Sequence, residues 1–230
     1  MLDNPLFIAF YLISLLIGFS LHEAGHAFCA DYLGDKTARH RGRLTLNPIK
    51  HLDPFGSLGL PLILIAIGSP FVFAAAKPVP VNPRNFRRPY MDFAITALAG
   101  PMVNIILALL GAFAFRFADL GSTAFDFLII FVWANSVLAF FNLLPIPPLD
   151  GSKIIAGFMP PVLAQRILSL DRVGFLILMA LIFGSSIIGF DVLRLWILTL
   201  LQAFSPLLDQ ASGLRFLTIL SIFFESLKAG

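Results

Sequence analysis

Two histidines and a glutamate lie within five consecutive residues, His22-Glu23-Ala24-Gly25-His26, inside an apolar stretch. On a helix, residues i and i+4 share one face, so His22 and His26 can bind the same metal ion. Glu23, beside the first histidine, is then placed to activate a water molecule at that metal. The spacing therefore predicts a zinc site with hydrolytic chemistry.

The pattern is specific in this chain, because the sequence contains only four histidines and two glutamates. The alternative interpretation is a pair of buried histidines whose ring nitrogens bind neighbouring backbone groups. We favour the metal site, since three ionisable groups within five residues of an apolar segment are costly to bury without a function.

The composition is typical of integral membrane proteins. Hydrophobic residues occupy 58% of the 230 positions and charged residues 13%, against about 25% charged residues in soluble domains. Basic residues are concentrated between apolar segments, where they set the orientation of the spans. The net charge of +3 is therefore not interpreted as a sign of nucleic-acid binding. We expect contacts with membrane lipid and none with nucleic acid. Cys29, the single cysteine, is interpreted as a small buried residue.

The apolar segments predict one all-α, polytopic membrane domain over residues 1–230. We expect a helical bundle of about five to six spans, with C-terminal helices at about residues 172–227. The proline-rich segment Lys77–Pro89 cannot form a helix. It predicts a small membrane-associated extended or β region between the first two core helices.

A catalytic zinc site needs a third protein ligand besides the two histidines. The candidates in this chain are His40, His51, Asp53 and Asp150. Asp150 is favoured because a carboxylate that follows a long apolar helix is costly without a cationic partner. Gly151, the next residue, also allows the backbone to approach closely.

The distribution of basic residues supports the same ligand. Gly34–Asp53 and Lys77–Pro89 are both basic and should both be cytoplasmic, which places the histidine motif in the cytoplasmic half of the membrane. If Leu58–Ala76 crossed the membrane fully, Asp150 would lie on the opposite side. A re-entrant Leu58–Ala76, interrupted by proline and glycine, returns Asp150 to the cytoplasmic half. We therefore expect a multi-pass protein of the cell (plasma or inner) membrane.

Three motifs together resemble the site-2 proteases, a family of intramembrane zinc metalloproteases. The histidine motif is similar to the first family motif, and Ala99-Gly-Pro-Met-Val-Asn104 is similar to the Gly-Pro-x-x-Asn element. Asn142-Leu-Leu-Pro-Ile-Pro-Pro-Leu-Asp-Gly151 resembles the Asn-x-x-Pro…Leu-Asp-Gly signature. The resemblance covers about residues 6–158, which is the expected catalytic core, and is to the compact prokaryotic type without PDZ or CBS domains.

The resemblance implies one zinc ion per chain, held by His22, His26 and Asp150. It further implies that Glu23 is the general acid and base. Asn142 is implied to be a second catalytic residue that holds the substrate carbonyl or the oxyanion.

Candidates for substrate binding are Asn104, Asn135, Val79 and Val81. The two asparagines can equally form hydrogen bonds between helices. The two valines can equally belong to a plain cytoplasmic loop rather than to a strand that pairs with substrate. A further pair, His51 and Asp53, is expected to have a structural role or to support the metal ligands.

The implied function is cleavage of peptide bonds within or near transmembrane segments of membrane-protein substrates, as in regulated intramembrane proteolysis. One alternative is a membrane metal-dependent hydrolase that acts on lipidated or soluble peptides. Another is a metal transporter or metal-binding scaffold without hydrolytic activity. Glu23 argues against the latter, because metal transport does not require a carboxylate beside the ligands.

Overall fold

The computed structural model describes residues 4–53, 77–188 and 192–229, together with Gly56, Gly59 and Ile63. The described residues form helices and connecting segments without a β-strand. In chain order, the helices are α1 (Pro5–Tyr32), α2 (Thr37–His40), α3 (Pro89–Ala114), α4 (Thr123–Asn142), α5 (Asp150–Gly157), α6 (Pro161–Leu168), α7 (Asp171–Ile188), α8 (Val192–Ser212) and α9 (Phe216–Ala229). Short 3₁₀ turns occupy Pro48–Lys50, Pro83–Asn85 and Phe115–Phe117.

Four of the described helices, α1, α3, α4 and α8, are long and apolar enough to span a membrane. The prediction of an all-α polytopic membrane protein is thereby confirmed. The expected number of about five to six spans concerns the whole chain and stays a prediction, as does the single-domain boundary.

Local sequence signals define the ends of α1, the helix that carries the histidine motif. Asn4 is the N-cap, and its side-chain oxygen accepts from the backbone N–H groups of Leu6 and Phe7 at 3.0 and 3.2 Å. Pro5 occupies the first helical turn, where its missing N–H is not needed. The helix ends before Gly34, whose φ of +113° is a conformation that favours glycine. The chain changes direction there and leaves the helix axis.

Helices α1 and α3 are antiparallel and very close. Asn104 of α3 donates from its side-chain nitrogen to the carbonyl oxygen of Gly18, while His26, two turns further along α1, contacts the carbonyl oxygen of the earlier residue Thr96. A Cβ added at Gly25 would lie only 2.8 Å from Val103 Cγ2, so glycine is required for this approach. The chain therefore leaves α1 and enters α3 at the same end of the bundle.

Helix α4 runs parallel to α1. Near the start of both helices the rings of Phe10 and Phe127 are 5.4 Å apart. Further along, a Cβ added at Gly18 would lie 2.8 Å from Leu138 Cδ1. The C-terminal end of α4, and hence the start of α5, therefore lies at the end of the bundle that carries the histidine motif.

The C-terminal helices pack on α3 and α4. A cluster of buried apolar residues joins these elements, and its members include Phe115, Phe125, Leu201, Leu208 and Phe216. In α9 the ring of Phe224 contacts Phe7 and Trp133. The C-terminal helices expected at about residues 172–227 are thus present as α7, α8 and α9.

The predicted re-entrant segment, Leu58–Ala76, lies outside the described residues apart from Gly59 and Ile63, and stays a prediction. Residues 77–82 belong to neither helix nor strand, and Pro83–Asn85 forms a 3₁₀ turn. The expected β structure is therefore absent from the described residues 77–88, because the prolines lack the N–H groups that a β ladder requires. Asn82 has an extended backbone, with φ −113° and ψ 103°.

Asp35 fixes the segment 77–85 to the start of α2. Its carboxylate is fully buried and accepts from the backbone N–H groups of Thr37 (3.0 Å) and Asn82 (2.7 Å) and from the side-chain nitrogen of Asn85 (2.7 Å). Burial raises the pKa of Asp35, but these hydrogen bonds and one from the Thr37 hydroxyl outweigh it and hold the pKa below its ordinary value.

We expect Asp35→Ala to lower the free energy of unfolding by about 3 kcal/mol, because buried donors lose their acceptor. Denaturation of the purified protein in detergent measures the change, and Asp119→Ala, at an exposed carboxylate, should leave stability nearly unchanged. Since the pKa of Asp35 is lowered in the folded state, its contribution is present at neutral pH and is lost as the pH falls through that folded-state pKa. Equal stability of Asp35→Ala and wild type would contradict the role of this carboxylate.

Candidate active site

Three buried side chains from two helices converge at one end of the bundle. His22 and His26 come from α1, and Asp150 is the first residue of α5. The Nε2 atoms of the two histidines are 3.0 Å apart. Asp150 Oδ2 lies 3.1 Å from His22 Nε2 and 3.2 Å from His26 Nε2. The fold thus brings together the three residues predicted as metal ligands, and this group could hold a metal ion.

Gly151 allows Asp150 to reach the histidines. A Cβ at residue 151 would collide with the carbonyl oxygens of Leu143 and Leu144, which follow the end of α4. The absence of a side chain lets α5 begin directly against that end. The glycine after the aspartate therefore has the packing role that the sequence predicts.

Hydrogen bonds on the far side of each imidazole indicate its tautomer. His22 Nδ1 lies 2.7 Å from Asn104 Oδ1, and His26 Nδ1 lies 2.7 Å from the carbonyl oxygen of Thr96. Both oxygens can only accept, so each Nδ1 carries the proton and donates. Each Nε2 then presents its lone pair to the centre of the site.

In the neutral imidazoles that bind a metal ion, the three atoms at the centre are then all acceptors. Two Nε2 lone pairs and a carboxylate oxygen lie within 3.2 Å of one another. Such an arrangement is unfavourable unless a cation lies among them. Two imidazoles and a carboxylate form a common ligand set of catalytic zinc. The observed spacings are close to the roughly 3.3 Å between ligands of a tetrahedral ion with bonds of about 2.0 Å, so the residues fit zinc.

Helix α3 passes directly over the two imidazoles at Gly100. A Cβ added there would lie 2.5 Å from His26 Nε2 and 2.6 Å from His22 Nε2, closer than real contacts allow. Only glycine leaves the ligand atoms in place.

The two asparagines predicted as substrate-binding candidates lie behind His22. Asn104 donates from Nδ2 to Asn135 Oδ1 at 3.0 Å, and Asn135 donates to the carbonyl oxygen of Phe131 at 2.9 Å. Both asparagines are completely buried. The Asn104–Asn135 contact is an interhelical hydrogen bond of the alternative interpretation, whereas the Asn135–Phe131 contact lies within α4; Asn104 in turn orients His22. A contact of either asparagine with substrate stays a prediction.

Glu23 contacts the proline-rich segment. Its Oε2 accepts a 2.7 Å hydrogen bond from the backbone N–H of Val79. The Val79 side chain packs with Ala27 and Ala38, and Val81 packs against the same cluster. Of the two valines predicted to pair with substrate, Val79 therefore contacts the predicted base, and the pairing of both with substrate stays a prediction.

In the described part of the chain, no contact links Asn142 to His22, His26 or Asp150. Its side-chain nitrogen donates to the carbonyl oxygen of Leu138, one turn earlier in α4, at 2.9 Å. Its expected catalytic role stays a prediction.

His51 and Asp53 have local contacts within the connection from α1 to α3. His51 is buried, its Nε2 donates to the carbonyl oxygen of Thr45 at 2.9 Å, and its own carbonyl oxygen accepts from Lys77 N–H at 3.0 Å. Asp53 Oδ2 accepts from Gly56 N–H at 2.6 Å. These contacts agree with a structural role for both residues.

Sequence reasoning missed Lys153 and the carbonyl of Thr96. Lys153 Nζ lies 2.9 Å from Asp150 Oδ1, so the ammonium holds one carboxylate oxygen while the other faces the histidines. The i,i+3 spacing within α5 is a signal that could have identified it. Thr96 acts through its backbone, which no side-chain pattern reveals.

Comparison with known proteins agrees with this site. Residues 117–184 match the family model described as Peptidase family M50. "Putative zinc metalloprotease YwhC" of Bacillus subtilis (strain 168) is 42% identical over 187 residues, which are 77% of this chain and 82% of that protein. "Putative zinc metalloprotease Rip2" of Mycolicibacterium smegmatis is 37% identical over 169 residues, 73% of this chain and 64% of that protein. Rip2 of Mycobacterium tuberculosis (strain ATCC 25618 / H37Rv) is 34% identical over 182 residues, 76% of this chain and 66% of that protein.

Fold, site and relatives together define a multi-pass membrane metalloprotease. The chain belongs to peptidase family M50, the site-2 proteases, which confirms the resemblance that its motifs indicate. No solved structure matches the chain significantly.

We expect Gly100→Ala to lower zinc affinity roughly 10-fold or more, because the added methyl group displaces both imidazoles. Competition with a chelator measures the affinity in detergent. Gly111→Ala is the matched control, since Gly111 lies on the same helix and its Cβ would crowd Val132 and Phe131 of α4, at a distance from the histidines. Unchanged zinc affinity of Gly100→Ala would contradict the close passage of α3.

Proposed function

We propose that the protein is an intramembrane zinc metalloprotease that cleaves peptide bonds within or near transmembrane segments of membrane-protein substrates. The observation that carries this proposal is the buried His22–His26–Asp150 group, with Glu23 beside it, among helices long enough to span a membrane. Membrane lipid and a transmembrane-helix substrate are then the partners of the protein.

The zinc cofactor predicted from the sequence is confirmed by the family and by the donor set. We assign one zinc ion per chain to His22, His26 and Asp150. Zinc bound there would act as a Lewis acid. It would polarise the peptide carbonyl and lower the pKa of a water molecule to about 7.

The chain's own residues orient the ligands and move the proton. Asn104 and Thr96 hold the two imidazoles by their Nδ1 atoms. Glu23 takes a proton from the attacking water, whose oxygen bonds to the carbonyl carbon. Glu23 then returns the proton to the amide nitrogen as the C–N bond breaks. The surrounding apolar helices exclude bulk water, which strengthens these electrostatic interactions.

Asn142 is proposed to donate a hydrogen bond to the developing oxyanion. A carboxamide has two N–H donors, and one of them is used on Leu138. The second is available to a substrate oxygen, where a fixed donor stabilises the charge that develops.

We propose further that an unwound substrate pairs with residues 77–82. A transmembrane helix hides its carbonyls in its own hydrogen bonds, so it must open before water can attack. The N–H of Val79 is used by Glu23 and that of Asn82 by Asp35, so neither is open to substrate. Pro78 and Pro80 offer carbonyl acceptors but no donors.

The cytoplasmic half of the membrane is the proposed location of the site. Exposed basic residues cluster near the end of the bundle that carries the histidines, and they include Lys36, Arg39, Arg41, Lys50, Lys77, Arg84, Arg87 and Arg88. Basic residues beside spans favour the cytoplasmic side. We propose further that the protein lies in the plasma or inner membrane.

Glu23→Gln should abolish cleavage of a single-span membrane substrate, with a loss of roughly 10²–10⁴-fold or more, while zinc content stays unchanged. Mass spectrometry of the products locates the cut. Glu225→Gln, at the only other glutamate and an exposed position, is the matched control and should cleave normally.

Three outcomes would contradict the proposal. Undiminished cleavage by Glu23→Gln would exclude Glu23 as the base. Cleavage confined to soluble peptides would favour the alternative hydrolase, and zinc exchange without any cleavage would favour a metal transporter or scaffold.

A further inference from the structure

One oxygen of the proposed general base is already held by the backbone. Glu23 Oε2 accepts the N–H of Val79 at 2.7 Å. Proton transfer requires only one carboxylate oxygen, so the other oxygen is available to fix the orientation of the carboxylate.

The donor itself is firmly placed. The Val79 side chain is 9% exposed and packs with Ala27 and Ala38. Two residues earlier, Lys77 donates its N–H to the carbonyl oxygen of His51 at 3.0 Å, and its own carbonyl oxygen accepts from Arg43 Nη2 at 2.6 Å.

The other side of Val79 is anchored as well. Asn82 donates its N–H to the buried carboxylate of Asp35 at 2.7 Å. Residues 77–82 are therefore held at Lys77, Val79 and Asn82 against the connection that follows α1. A donor on such a segment is fixed before substrate arrives.

The local sequence makes the Val79 N–H the one backbone donor of residues 78–80. Val79 lies between Pro78 and Pro80, and a residue before proline is restricted to extended conformations. Neither proline has a backbone N–H. Residues 78–80 thus offer one N–H, and the structure directs it to Glu23.

We propose that the backbone N–H of Val79 is a positioning group for Glu23, which holds Oε2 and leaves Oε1 to exchange the proton with water and the leaving amine. The inference rests on the proposed function, because it assigns Glu23 as the base. It makes the segment 77–82 part of the catalytic machinery, in addition to its proposed pairing with substrate. A carboxylate without this donor would sample other rotamers and lose its alignment.

Val79→Pro tests the proposal by removing the N–H at a position that already lies between two prolines. We expect kcat to fall about 100-fold, with KM and zinc affinity within about twofold of wild type. Val79→Ala retains the N–H and shortens the side chain, so it is the matched comparison and should lose much less kcat than Val79→Pro.

A backbone ester at residue 79, made with the α-hydroxy analogue of valine, removes the N–H without altering the side chain. It provides the test if Val79→Pro does not fold, and it should give the same loss of kcat. The proposal is overturned if the ester retains wild-type kcat. It is also overturned if Val79→Ala loses as much activity as Val79→Pro, or if the ester loses zinc.

Infrared spectroscopy separates this inference from the proposed function. The chain has two glutamates, so in a Glu225→Gln background a ¹³C-carboxyl-glutamate label reports on Glu23 alone. We expect the carboxylate stretch to shift in the ester variant, whether or not any substrate is cleaved. If the band shifts but the wild-type protein cleaves no membrane substrate, the proposed function is refuted while the Val79–Glu23 contact is supported. An unshifted band would refute the contact itself.

Discussion

The convergence of three acceptor atoms in an apolar bundle is the constraint on which the rest of the structure depends. Nε2 of His22, Nε2 of His26 and Oδ2 of Asp150 lie within 3.2 Å of one another and are almost completely buried. Lone pairs at this spacing repel unless a cation lies among them. The fold must therefore hold each ligand through the atoms that face away from the centre. Asn104 holds His22 by its Nδ1, and Lys153 holds Asp150 by its Oδ1.

This constraint explains the arrangement of the core helices. The histidines are brought under α3 because Gly100 leaves room for both rings, and Gly25 allows the two helices to touch. Because α1 and α3 are antiparallel while α4 is parallel to α1, the start of α5 returns Asp150 to the histidines. The same geometry places the end of α1 and the start of α3 at one end of the bundle, where Val79 contacts Glu23.

The ligands were predictable from the sequence because their signal lies in side-chain type and helical spacing. His22 and His26 follow from the i,i+4 rule, and Asp150 follows from the cost of a carboxylate after an apolar helix. Contacts made by backbone atoms, such as the carbonyl of Thr96 and the N–H of Val79, leave no such signal, because every residue type carries these groups.

X-ray absorption at the zinc K-edge of the zinc-loaded protein tests the central assignment most directly, because it reports the atoms bound to the metal. We predict two imidazole ligands and oxygen donors at about 2.0–2.2 Å, without sulfur. Asp150→Ala should remove one oxygen ligand and leave both imidazoles. A zinc–sulfur distance of about 2.3 Å would contradict the assignment. It would indicate the thiolate of Cys29, the single cysteine, as a ligand. A third imidazole, from His40 or His51, would contradict it equally.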